Sequence, residues 1–264
     1  MRNIVIYGIP STATEQRQND AMPRENVEVW GVNEAHRFLP EGVSISRMFQ
    51  MHVRDWREAD RAFTHSNGKR LPPWMNRDCF GRNKAHVEYL RTCGVPVYGQ
   101  QVWADIPTSV RYPFEGVTKF VGIPLPPNGI KRLWATSSFG YMLALAVAEH
   151  MQATAHSVDF PGYGGMVRRI YMVNCELPMG TGRERLWEWP NLAYYLGLAT
   201  GLGIEVVLSP AGTSLLSAPH YALDCRPHAG DADHWLLPGS PGVVEADGVY
   251  RLGTAQPEYR VKRG

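Results

Sequence analysis

The sequence predicts an α/β protein built on an open, mostly parallel sheet with helices on both faces, followed by an irregular C-terminal appendage. Short apolar, β-branched runs at 3–7, 27–32 and 45–52 each stop in polar, hydrogen-bonding residues, so their ends would line one edge of a parallel sheet. An uncharged run of strong helix formers at 141–148 follows the hydroxyls of Thr136, Ser137 and Ser138, where an N-cap is wanted. The 264 residues are 44% hydrophobic and 20% charged, which suits one globular domain with a small addition.

The first run stops at Gly8, Ile9, Pro10 and Ser11, a strand feeding a tight turn in the manner of a nucleotide-binding βα unit. The turn lacks the G-x-G-x-x-G spacing of a dinucleotide site. The second run ends in Asn33 and Glu34, the third in Met51 and His52. Residues 54–75, charged and then Pro-rich, predict a surface helix and a loop. Helical spacing at 84–93 stops at Gly94, a C-cap, and a brief strand follows at 95–98. Recurring Pro and Gly between 100 and 128 predict an irregular excursion over the sheet edge, with a turn of helix at 117–120.

The helix at 141–148 is expected to be buried, and a short buried strand at 170–173 runs into Asn174, Cys175 and Glu176. Pro190 is placed to start a helix over 191–202, with Tyr194 and Tyr195 exposed on different faces and Gly203 ending it. A further strand at 204–208 closes in Ser209 and Pro210. Residues 217–264 turn rich in Pro, Gly, Asp and His, with a hairpin at 243–252 and a basic tail at 260–263 that is expected to be mobile. The expected division is therefore an α/β domain over 1–216 and an extension over 217–264.

A net charge of +2 creates no strong field toward nucleic acid or membrane, though it leaves room for local basic patches. The longest uncharged apolar run falls far short of the roughly 20 residues of a membrane span. The N-terminus reads straight into a strand without a secretory pattern, and Cys79, Cys93, Cys175 and Cys225 are dispersed. Both features lead to the expectation of a cytoplasmic protein with reduced thiols. No G-x-S-x-G elbow, P-loop or zinc motif occurs.

Ligands in open α/β sheets sit outside the carboxyl ends of strands and at helix N-termini. Residues 134–177 supply a hydroxyl-rich helix start and a strand ending in an acid. A buried helix and a core strand with ordinary caps account for the same residues equally well. On strand-end position His52 joins the ligand candidates.

Five short motifs follow one another in a suggestive order: Gly8-Ile9-Pro10-Ser11, Asn33-Glu34, Thr136-Ser137-Ser138-Phe139-Gly140-Tyr141-Met142, Val173-Asn174-Cys175-Glu176 and Ser209-Pro210-Ala211-Gly212-Thr213-Ser214-Leu215-Leu216. Together they resemble the bacterial sialyltransferases of glycosyltransferase family 42 and related flagellin-modifying transferases. The chain is also similar to phage-type proteins with the same motif order. The resemblance spans roughly 3–216 and implies a Rossmann-like transferase with a nucleotide-activated donor at the strand ends. It implies Gly8 and Ser11 beside the donor phosphate, Asn33 at the nucleoside, Ser137, Ser138 and Gly140 at base or phosphate, and Glu34 among the donor-binding residues. Thr136, Tyr141 and Asn174 complete the donor set.

The family's catalytic His would precede the helix at 191–202, where this chain has Arg185-Leu186-Trp187-Glu188-Trp189. A transferase needs a base for the acceptor hydroxyl, and Glu176, Glu184 and Glu188 are the candidates. Arg183 or Arg185 would stabilise the leaving phosphate. No cofactor is then required: the nucleotide sugar is the substrate, and the acceptor is a glycan or a hydroxymethylated base of phage-type DNA.

Asp231-Ala232-Asp233, flanked by His228 and His234, matches the D-x-D that binds a divalent metal in many nucleotide-sugar enzymes, or is a solvated polar loop. His150, His156 and Asp159 suggest ligands only by composition. Trp74, Trp103, Trp134, Trp187 and Trp189 fall in loops expected around the site, to stack on sugars or unpaired bases or simply to anchor those loops. Arg54, Arg57, Arg61, Lys69, Arg70 and Arg82 keep DNA open as a partner, and a homo-oligomer is compatible with the chain. Two other classes stand beside the glycosyltransferase: a Mg²⁺-dependent phosphotransferase or pyrophosphokinase, and a non-catalytic nucleotide-binding protein.

Overall fold

A computed structural model describes residues 1–9, 22–55, 80–125, 128–156, 165–175 and 183–208, and the strands at 243–246, 249–252 and 260–262. Its centre is a seven-stranded sheet in the order β5-β4-β3-β2-β1-β8-β9. The strands are β1 (Arg2–Tyr7), β2 (Val27–Val32), β3 (Arg47–Gln50), β4 (Val97–Gly99), β5 (Ser109–Arg111), β8 (Val167–Val173) and β9 (Glu205–Leu208). Every neighbouring pair in it is parallel. The α/β fold expected from the sequence is therefore the fold of the protein.

Among the described residues four α-helices accompany the sheet: α1 (Lys84–Thr92), α2 (Phe114–Val121), α3 (Ser138–Thr154) and α4 (Arg183–Gly201). Side chains alternate along a strand, so Arg47 and Gln50 point to opposite faces. Arg47 meets Glu149 of α3, whereas Gln50 meets His86 of α1. Helices thus cover both faces. On its own face α3 lies against α2 and α4. That position explains why 142–148 is buried all round and carries no charge.

The strand order grows leftward from β1 to β5 and then resumes on the other side of β1 with β8. Right-handed crossovers send the two halves to opposite faces, so the connections leave β1 and β8 in opposite directions. The carboxyl ends of β1 and β8 therefore flank the switch point of the sheet, the usual binding crevice of such folds.

Several local expectations change. The stretch from 100 to 128 is more regular than its composition predicts, holding edge strand β5, helix α2 and strand β6 (Ile123–Leu125), which pairs with β7 (Ile130–Arg132). Three-residue strands are too short to register as periodic runs. Trp103, expected near the site, is buried in the core. Pro190 does not start a helix but lies inside α4. An interior proline removes one backbone bond at a cost of about 3 kcal/mol, which the packing of α4 on α3 and β9 offsets. Tyr195 is not exposed either: it is fully buried, with Tyr194 half-buried beside it.

The hairpin at 243–252 forms as expected from β10 (Val243–Ala246) and β11 (Val249–Leu252). The residues read as a basic tail instead add a third strand, β12 (Arg260–Lys262), antiparallel to β11. Pairing satisfies the open edge of β11, which a free tail would leave to water. None of the described helices is long and apolar enough to cross a membrane.

Candidate functional site

The carboxyl edge of the sheet brings together residues far apart in the chain. Asn33 and Asn174, directly after β2 and β8, both hold left-handed backbone conformations, with φ of 48° and 53°. Asn tolerates that region better than other non-glycine residues, so these strand-end asparagines have a backbone reason as well as a side-chain one. Asn33 Nδ2 lies 3.4 Å from His52 Nε2 after β3, while the Asn33 Oδ1 atom is buried without a hydrogen-bond partner. Beside it, Glu34 Oε1 accepts from Asn83 Nδ2 at 3.3 Å. After β4, Gln100 Nε2 donates to the Met51 carbonyl at 2.6 Å and ties the third and fourth strand ends together.

At the switch point, the Gly8 N–H donates to the Val173 carbonyl at 2.9 Å. A Cβ on Gly8 would collide with the Asn174 carbonyl and stand 2.9 Å from the Phe139 ring. Glycine is therefore required here so that the end of β1 can touch both β8 and the first turn of α3. The sequence points to close approach at Gly8, and what approaches is backbone and an aromatic ring of this chain.

The start of α3 is a built cap. Ser137 Oγ accepts from the Gly140 N–H at 3.0 Å, and the Ser137 carbonyl accepts from Tyr141 N–H at 3.1 Å. The N–H groups of Ser138 and Phe139 have no intrahelical acceptor, as in any first turn. Gly140 makes room for Asn191 of α4, whose Oδ1 would meet any Cβ there. Asn191 is fully buried. Its Oδ1 accepts from Thr136 N–H at 3.2 Å and its Nδ2 donates to the Trp134 carbonyl, so one carboxamide fixes the approach to α3. Tyr141 packs into an aromatic cluster with Tyr112, directly after β5, and Phe114, and its carbonyl accepts from Tyr112 Oη at 2.8 Å. Burial raises the Tyr141 phenol above its ordinary pKa.

A second group on the α1 face borders Asn33 and Glu34. His36 stacks 3.6 Å from Tyr89 and 5.2 Å from His86, and His86 Nε2 bonds Gln50 Oε1 at 2.8 Å. Because a carboxamide oxygen only accepts, the His86 proton sits on Nε2. Burial first, and then the neighbouring His86, lowers His36 to about 4. Burial also lowers His86. Both rings are neutral near pH 7 and form a wall rather than a charge.

Glu188 is half-buried on α4, one turn before Asn191 on the same helical stripe. Glu184 and Arg185 lie in the first turn of α4. Ser11, Glu176, Asp231 and Asp233 lie outside the described residues, as do His228, His234 and Asp159. His150 meets the Val167 carbonyl at 3.0 Å, a local contact with the chain itself. Buried Cys175 packs its thiol on the Ile6 and Val173 carbonyls. Among the described residues no group of three His, Cys, Asp or Glu is placed to hold a metal ion.

The structure thus brings Gly8, Phe139, Asn174 and the α3 cap together at the switch point. Asn33, Glu34 and His52 stand along the same edge. Asn191, which organises the cap, carried no motif: its partners are 55 and 57 residues away in the chain. No protein-family model, curated protein or solved structure matches the chain.

Proposed function

We propose that the protein is a nucleotide-sugar-dependent glycosyltransferase that seats its donor at the β1–β8 switch point and moves the sugar to a hydroxyl acceptor. The observation that carries this reading is the packing of the α3 first turn against Gly8 at the place where the strand order reverses. Outward N–H groups of Ser138 and Phe139, at the positive end of the helix dipole, suit a donor phosphate without a metal. Glu34, after β2, stands where sheets of this class present an acid to a ribose hydroxyl. The unpartnered Asn33 Oδ1 adds an acceptor on the nucleoside side.

In the transfer, the acceptor oxygen forms a bond to the anomeric carbon as the bond from that carbon to the phosphate oxygen breaks. The electron pair leaves with the nucleotide, and Glu188 takes the acceptor proton. Arg185 is the cation assigned to the departing phosphate. The ordered resemblance to glycosyltransferase family 42 supports the same donor chemistry.

The test is release of free nucleotide from CMP-, UDP-, GDP- and ADP-sugars in the presence of hydroxyl acceptors. One donor is expected to turn over, and Glu188→Gln is expected to lose at least about 100-fold in rate while keeping donor affinity. A protein that binds a nucleotide sugar yet never cleaves it, alone or with acceptors, would refute the transferase.

A further inference from the structure

Strands β6 and β7 form a two-stranded ribbon outside the main sheet, and it leads directly into the capped start of α3. Lys119, Lys131 and Arg132 are the only charged residues between Glu115 and Glu149, so this 116–148 stretch is exclusively basic. The register sets Leu125 opposite Ile130 and Pro124 opposite Lys131. Lys131 Nζ reaches back to the Lys119 carbonyl at 2.8 Å, which turns its face of the ribbon toward α2. The other face carries Leu125, Ile130 and Arg132, and Ile130 is 57% exposed.

Two residues beyond Arg132, Trp134 is an exposed aromatic whose ring leans on Tyr194 at 5.8 Å. Its backbone does not drift, because Asn191 holds its carbonyl and the Thr136 N–H on one carboxamide. Arg132 lies five residues before the Ser137 cap, so a ligand on the ribbon is within about 17 Å of the switch point. An exposed aromatic face interleaved with cations, with no carboxylate along the segment, is the pattern that holds unpaired nucleic acid: bases stack on the ring and phosphates meet the cations.

We propose that this arm is the acceptor subsite and that the acceptor is a nucleic acid presenting an unpaired base. Resting on the transferase reading, it narrows the acceptor from any hydroxyl compound to a polyanion. Trp134 is tied to Asn191 through its carbonyl, and Glu188 precedes Asn191 by three residues on α4.

The experiment is fluorescence anisotropy with a labelled single-stranded oligonucleotide of about 12 nucleotides, titrated at several salt concentrations. The full chain is expected to bind. Trp134→Ala is expected to weaken binding about tenfold, and Trp134→Phe to retain most of it. The double change Lys131→Glu with Arg132→Glu is expected to weaken binding at least tenfold and to flatten the salt dependence by about 1 to 2 in logarithmic slope. All three side chains are exposed at the surface, so unchanged melting temperatures serve as the folding control.

Absence of binding by the full chain, or equal binding by every variant, overturns the proposal. So does a neutral oligosaccharide that binds in place of the oligonucleotide and is lost with Trp134→Ala. Donor binding is read separately, by nucleotide-sugar thermal shifts on the same variants. Oligonucleotide binding without any donor shift would sink the transferase and leave the nucleic-acid site standing.

Discussion

The two edges of the central sheet are built on opposite principles. At the amino edge, Arg2, Glu28 and Arg47 open β1, β2 and β3, and Glu149 reaches down to them from α3. Arg2 pairs with Glu28 at 2.9 Å and with Glu149, and Arg47 with Glu28 at 3.1 Å and with Glu149 at 2.7 Å. Two cations and two anions close into a neutral ring, and the Arg47 guanidinium lies 4.6 Å over Trp30. Burial works to raise the Glu28 carboxyl, yet hydrogen bonds from Arg2 and the charges of Arg2 and Arg47 hold it below its ordinary value. Every charge there is answered by another within the chain. At the carboxyl edge the polar groups are uncharged or half-exposed, a buried Asn33 oxygen has no partner, and a helix start faces outward. The four charges of one edge are paired among themselves, and the other edge is where we propose that the donor binds.

Removing one partner from the ring is the hardest test of that contrast. Glu149→Ala leaves two buried guanidinium groups sharing Glu28 and is expected to cost about 3–5 kcal/mol in urea unfolding. The folded fraction should keep its nucleotide affinity, and a variant of native stability would show the ring to be dispensable. At the other edge, Asn191→Ala strips the Trp134 carbonyl and Thr136 N–H of their partner, for about 1–3 kcal/mol. Unlike Glu149→Ala, it should also weaken nucleotide binding, because the approach to α3 loosens.

Neighbouring serines separate structure from binding within one turn. Ser137→Ala loses the cap and about 1 kcal/mol of stability. Ser138→Ala should stay within about 0.5 kcal/mol of the parent while binding nucleotide less tightly, as calorimetry would report. Reversal of the pair would move the phosphate from Ser138 to Ser137. The smallest effect is in pH. His36 is neutral in the folded chain and ionises near 6.5 when unfolded, so the unfolded chain binds the extra proton between those values. Stability is therefore fully present above about 6.5 and falls as pH drops toward about 4. His36→Gln should flatten that slope in acid unfolding curves, and an unaltered slope would move the titration to another group.

Much of the carboxyl edge was legible in the sequence because it is written locally. A β-branched run that stops in Gly8, in Asn33 or in Asn174 announces both a strand and its end, and Ser137 three residues before Gly140 announces a cap. The amino edge was not legible. Arg2 and Glu149 are 147 residues apart, and nothing in the neighbourhood of either reveals that they meet. Asn191 was hidden in the same way, as was the role of Gly140 in admitting it. Pro190 misled because local preference favours a helix start, whereas tertiary packing carries α4 through it. Tyr195 was placed at the surface because two adjacent tyrosines look alike until the helix faces are fixed.

The most direct test of a receiving carboxyl edge is a thermal-shift titration of the full chain with CMP, UDP, GDP and ADP and their sugars, run beside Ser138→Ala. A nucleotide present at a hundredfold excess over its Kd should add about 2.7 kcal/mol of apparent stability. The account predicts that one nucleotide class raises the melting temperature and that Ser138→Ala reduces the rise. No shift with any of them would contradict a nucleotide site at the switch point.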